Sequence, residues 1–146
     1  MDRKEFLKVC TGSCLGIAIS TATLSSCVSH RRVNAVLKNE YLEVPLVAFA
    51  YVKKGESHYH DYVVARNPLL EYPICIFRQS DDIFNAFLMK CTHQGAVLKL
   101  YGDTLQCAAH GSEFNSNGQV TIGPATTNLR SFETKVDQQT VRILLK

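Results

Sequence analysis

From Glu40 to the C-terminus the apolar positions come in short runs, some alternating and some continuous, parted by Gly, Pro, Asn, Asp and Ser. β-branched and aromatic residues dominate these runs and no helical period is sustained, so the pattern predicts an all-β domain over residues 40–146. Tyr41 to Val52 reads as a first strand bent at Pro45, Lys53 to Ser57 as a loop, and Tyr59 to Arg66 as a second strand. Pro73 to Arg78 and Ile83 to Met89 flank Ser80-Asp81-Asp82 as a hairpin. Val97 to Leu100 and Thr104 to Gln106 flank the Tyr101-Gly102-Asp103 turn as another. After the turn Asn115-Ser116-Asn117-Gly118 come Gln119 to Ile122, then a last hairpin of Ser131 to Val136 and Thr140 to Leu145. The sum is about nine or ten short antiparallel strands with little helix.

Before Glu40 the pattern changes. Residues 28–39 are polar and basic, with Arg31, Arg32 and Lys38, and read as a linker. Residues 1–27 read as a targeting segment: Arg3, Lys4 and Lys8 form a positive start, and Leu15 to Leu24 form a modestly apolar stretch. Asp2 to Lys8 resembles a twin-arginine signal with Lys in place of the second Arg, a route for proteins exported already folded. Leu24-Ser25-Ser26-Cys27 looks like a bacterial lipobox, which would make Cys27 a lipidated N-terminus; Val28 behind it leans toward the outer membrane. The alternative is an uncleaved anchor over Val9 to Val28, weak as a span because of its many hydroxyl residues. Either reading places the domain outside the cytoplasmic membrane, on the periplasmic or envelope side.

At 146 residues and 46% hydrophobic, the chain can bury one core. A net charge of +3 with scattered basic residues argues against a nucleic-acid partner. Three of the 6 cysteines fall within the targeting segment, and Cys75 sits in the apolar run Pro73 to Phe77, which suits a buried inert thiol.

That leaves Cys91 and Cys107, each with a histidine and a glycine just behind it: Cys91-Thr92-His93-Gln94-Gly95 and Cys107-Ala108-Ala109-His110-Gly111-Ser112. Two thiolates and two imidazoles make a metal site. One candidate is a 2Fe-2S cluster, with both thiolates on one iron and both imidazoles on the other. The other is structural zinc, which accepts the same set in a tetrahedron but usually from loops that group like ligands. Here each loop mixes one Cys with one His, and its glycine lets backbone N–H groups approach cluster sulfurs. His58 and His60 form an H-x-H beside a polar loop, and Asp81-Asp82 reads as a turn; neither pattern predicts a second site.

These loops resemble those of the Rieske family, which reads C-x-H, then C-x-x-H-G followed by Ser and an aromatic. The matching positions are Cys91, His93, Cys107, His110, Gly111, Ser112 and Phe114, with Gly123-Pro124-Ala125 matching a stretch that covers the cluster. The resemblance spans roughly the last two thirds of the chain. It implies an antiparallel β-sandwich carrying a small cluster-binding subdomain, one 2Fe-2S cluster, and electron transfer with a redox partner protein, a quinol or a membrane cytochrome. Cys91 and Cys107 would hold the inner iron; His93 and His110 would hold the reducible one and offer the exit. Ser112 would hydrogen-bond a sulfide. Reduction should raise the proton affinity of the imidazoles, so the potential is expected to fall as pH rises.

Two departures separate the chain from the quinol-oxidising members. Ala96 and Ala109 replace the cysteines of a disulfide that braces the loops there, and Phe114 replaces a tyrosine that donates to a thiolate. Fewer donors to sulfur imply a lower potential. No flavin or nicotinamide fingerprint and no substrate-iron motif occurs. The expectation is an electron carrier or small subunit of a periplasmic oxidoreductase, with a quinol-oxidising complex subunit or a zinc-stabilised binding module as alternatives.

Overall fold

The computed structural model describes residues 31–146; residues 1–27, read above as a targeting segment, and the expected lipidation site Cys27 lie outside the described residues. The elements in order are β1 (Arg32–Asn34), β2 (Val36–Lys38), β3 (Tyr41–Pro45), a 3-10 turn (Leu46–Phe49), β4 (Ala50–Lys53), β5 (Glu56–Tyr59), β6 (Tyr62–Arg66), β7 (Ile74–Arg78) and β8 (Phe84–Leu88). Then follow β9 (Lys99–Tyr101), β10 (Thr104–Gln106), β11 (Glu113–Phe114), β12 (Val120–Ile122), β13 (Ser131–Phe132), β14 (Thr134–Val136) and β15 (Thr140–Leu144). The fold class is all-β, as the pattern predicts.

One strand explains the layering. In β7, Ile74, Cys75, Ile76 and Phe77 are all buried, so both of its faces are covered and its sequence shows no alternation. Ile74 and Ile76 pack with Leu42 and Val44 of β3 and Val141 and Ile143 of β15. Cys75 and Phe77 point the other way, into a cluster with Leu100, Leu105 and Phe114. The five-stranded sheet β1-β6-β7-β8-β13 is therefore a middle layer. The sheet β14-β15-β3-β2 covers one face, and the small sheet β12-β11-β10-β9 lies against the other. Burying each large side chain at these two contacts contributes about 1.5–3 kcal/mol.

The predicted linker over 28–39 is corrected by the structure from Arg32 onward. β1 pairs with β6, and β2 pairs with β3. Three-residue strands are too short to carry a readable period, yet Ala35 between them is buried and Val33 packs on the same core. The Ala35 N–H donates to the Arg66 carbonyl at 2.8 Å, and the Asn67 side-chain amide donates to the Ala35 carbonyl at 2.9 Å. The β1–β6 pairing is parallel, an exception to the antiparallel expectation. The strand expected over Tyr41 to Val52 breaks after Pro45 into the 3-10 turn, which sets the Phe49 ring 5.1 Å from that of Phe84 in the core. The expected loop at 53–57 is a two-residue hairpin turn at Lys54-Gly55, whose positive φ values of 53° and 82° match the twist of the strands it joins.

Candidate metal centre

Both loops sit where hairpins leave the central and small sheets. The first lies between β8 and β9 and is closed by a bridge from Lys90 to Val97; the second joins β10 to β11. Their backbones are near copies. The Gly95 N–H donates to the Cys91 carbonyl at 2.8 Å, and the Gly111 N–H to the Cys107 carbonyl at 2.9 Å. The Cys91 N–H donates to Ala96 and the Cys107 N–H to Ser112, each at 2.8 Å. Gly95 and Gly111 turn the loops at φ 77° and 79°, a region that side chains disfavour.

The four expected ligands come together as two unlike pairs. Cys91 and Cys107 are each only 2% exposed and belong to the core under the small sheet. Their side chains lie close enough for Cys91 to influence the ionisation of Cys107. Burial pushes the Cys107 thiol up, but the N–H groups of Ala109 and His110 and the Cys91 side chain outweigh it and hold the thiol below its ordinary value. His93 and His110 are exposed, with ring centroids 5.0 Å apart and an edge-to-face angle of 86°. Thiols paired inside and imidazoles paired outside match a two-iron unit with unlike ends. A single tetrahedral ion needs all four at one point. Among the described residues, no three His, Cys, Asp or Glu side chains converge in that way.

A third segment closes the site. Ser112 is fully buried, and its Oγ accepts the Ala125 N–H at 3.0 Å. This draws the stretch after the cis Gly123-Pro124 bond over the cysteines, and Ala125 joins their core. The Thr92 hydroxyl donates to the Thr127 carbonyl at 2.7 Å, tying the same segment to the first loop.

The family model described as Rieske 2Fe-2S domain matches residues 43–133. The chain belongs to the Rieske family. Its cofactor is accordingly a 2Fe-2S cluster. The chain is 36% identical over 74 residues to dicamba O-demethylase, oxygenase component, of Stenotrophomonas maltophilia, a match covering 44% of this chain and 22% of that protein. It thus spans about a fifth of the length of that relative. A solved structure titled as the complex of reduced oxygenase and oxidized ferredoxin in carbazole 1,9a-dioxygenase contains a chain of like fold, with TM-score 0.54 and 24% identity over 75% of this chain and 96% of that one. The cyanobacterial plasma membrane Rieske protein PetC3 from Synechocystis PCC 6803 gives TM-score 0.49 and 23% identity over 57% of this chain and 85% of that one.

Other residues singled out in the sequence lie elsewhere. His58 and His60 stack on Tyr51 of the β4–β5 hairpin, at 5.4 and 4.2 Å, and neither joins the Rieske loops. Asp81 pairs with Arg78 at its turn. Cys75 is buried in the core, and that burial pushes its thiol far up, as an inert thiol requires. Phe114 is fully buried, and none of Cys75, Cys91 and Cys107 is in a disulfide. What the sequence pattern does not reveal is Tyr72. Its hydroxyl donates to the Gly95 carbonyl at 2.9 Å across 23 residues, a contact no local spacing announces.

Proposed function

We propose that this Rieske protein is an exported, membrane-tethered one-electron carrier, or the small subunit of a periplasmic oxidoreductase. Cys91 and Cys107 would hold one iron, and His93 and His110 the other. The observation that carries the ligand assignment is the pairing of buried thiols beneath exposed imidazoles. Bound there, a 2Fe-2S cluster supplies a one-electron couple. The residues do the rest. The Ala109 and His110 N–H groups offset thiolate charge, the Ser112–Ala125 bond excludes water from the cysteine side, and the exposed His93 and His110 edges give a partner its contact. Ala96 and Ala109, at the positions where quinol-oxidising members carry the disulfide cysteines, favour a carrier over a quinol-oxidising subunit. The relatives' names, an oxygenase component and an oxygenase–ferredoxin complex, favour a protein as redox partner.

Export and tethering rest on the sequence of residues 1–27. Among the described residues, no helix is long and apolar enough to cross a membrane. The test is low-temperature electron paramagnetic resonance on the dithionite-reduced full chain, with iron and zinc quantified and fatty-acid label followed on Cys27. A rhombic signal of low average g, two irons per chain and a label lost in Cys27→Ser are expected. One zinc and no signal would remove the cluster reading; an unlabelled, cytoplasmic chain would remove the tether.

A further inference from the structure

Beside the first loop runs an open groove of about 650 Å³, lined by Tyr72, Lys90, Thr92, His93, Thr127 and Arg130 among others. Two cations line it and no carboxylate does. Both cations are steered by aromatic faces. The Lys90 Nζ lies 4.9 Å from the Tyr72 ring centroid, and the Arg130 guanidinium carbon lies 4.9 Å from that of Phe132. Neither forms an ion pair among the described residues. Glu71 lines the neighbouring hollow with Arg130 but does not approach it within salt-bridge distance. The groove therefore carries two positive charges with no carboxylate partner next to one of the exposed imidazoles, the Arg130 guanidinium making one further contact, a 3.4 Å hydrogen bond to the Leu145 carbonyl.

Charge left unpaired beside an electron-transfer edge raises the encounter rate with a partner of opposite sign, by roughly 10- to 1,000-fold at low salt. We infer that the Lys90–Arg130 groove is the docking surface for a redox protein that surrounds its own electron-transfer edge with carboxylates. Lys90 and Arg130 take those carboxylates, and His93 at the groove wall faces the partner's cofactor. The inference rests on the electron-transfer reading above and adds the partner's chemistry to it.

The test uses the reduced full chain and two inorganic oxidants, the trianion ferricyanide and the trication tris(phenanthroline)cobalt(III). In each reaction one electron leaves the protein and one metal goes from its trivalent to its divalent state; no bond is formed or broken between protein and oxidant, and any proton the imidazoles release goes to the buffer, held at one pH throughout. Stopped-flow rates are read against ionic strength. The ferricyanide rate is expected to fall with salt, and to drop about tenfold at low salt in Lys90→Glu/Arg130→Glu, while the cobalt rate rises in the same variant. Lys90→Gln/Arg130→Gln should move both rates in the same directions by less, guarding against misfolding of the reversal. The control Lys38→Glu/Lys53→Glu removes equal charge from exposed positions in β2 and β4 and should change either rate less than twofold. Acidic cytochrome b5, added as a competitor, should slow the ferricyanide reaction of the wild type but not of the reversal.

Equal shifts in control and groove variants would overturn the inference, because net charge would then suffice. Absence of competition by cytochrome b5 would overturn the protein occupant. The Rieske-type signal is integrated in every variant: its loss in the wild type defeats the electron-transfer reading itself, whereas an intact signal with unmoved rates defeats only the docking surface.

Discussion

The two cysteine loops share a backbone and differ in what braces them. Each closes with a glycine N–H on the cysteine carbonyl and a positive-φ glycine, within 0.1 Å and 2° of one another by the values 2.8 and 2.9 Å and 77° and 79°. The second loop is held from inside: Ser112 is buried and grips Ala125, and the Ala109 and His110 N–H groups grip the Cys107 sulfur. The first is held from outside, by the hydroxyls of Tyr72 and Thr92 reaching to Gly95 and Thr127. Alanines at 96 and 109 form no disulfide, so backbone and side-chain hydrogen bonds fix the loops. An inner brace is dry and expensive to remove; an outer brace is half wet and cheaper. This difference also leaves the first loop as the side with an open groove.

The largest effect is expected from the inner brace. Ser112→Ala leaves the Ala125 N–H buried without its partner, a loss of about 2 kcal/mol. At roughly 4 °C per kcal/mol, the midpoint of the loaded protein should fall about 8 °C. A fall under 2 °C would mean the segment after Pro124 holds itself in place, and the inner brace would be no brace.

Next come the paired glycines. An added Cβ at Gly111 meets nothing within 4 Å, so Gly111→Ala costs only the left-handed backbone conformation, about 1–2 kcal/mol. At Gly95 the same conformation applies, and the Cβ also comes within 3.2 Å of Lys90 Cε and 3.7 Å of Tyr72 Oη. Lys90 must give by a few tenths of an ångström, whereas the approach to Tyr72 Oη is ordinary van der Waals contact and leaves that brace in place. Thermal denaturation of the two variants should therefore show the slightly larger loss for Gly95→Ala; equal losses would mean that Lys90 moves aside without cost.

How far the sequence reaches follows the same division between local and distant contacts. The two cysteine–histidine loops are legible because their residues are neighbours in sequence: Cys91 with His93, Cys107 with His110. Hairpins with polar turns, such as β7–β8 and β14–β15, were legible for the same reason. The edge strands β1 and β2 were not, since three residues of mixed polarity carry no period and their pairing depends on β6 and β3. Nor was the double burial of β7, which needs the small sheet to be folded back onto the middle one. Ser112 could be named by resemblance, but its acceptance of the Ala125 N–H comes only from the fold. Tyr72 and the Lys90–Arg130 pair had no signal at all in one sequence.

The smallest and most discriminating effect belongs to Tyr72. Tyr72→Phe keeps the ring on which Lys90 rests and deletes only the bond to the Gly95 carbonyl, which is part-buried and can turn to water. The cost is therefore about 1 kcal/mol. It should not be spread over the domain. The Gly95 N–H is bonded within its own loop, to Cys91, and opens when that loop frays, so a weaker outer brace acts on it directly. Hydrogen exchange read by mass spectrometry should speed up about fivefold, the equivalent of 1 kcal/mol, in peptides covering 90–98. Peptides covering 107–113 should exchange as in the wild type, because the second loop hangs on Ser112 and Ala125. Equal acceleration in both would show the loops to be one cooperative unit, in which case inner and outer braces describe position in the molecule and nothing about its stability.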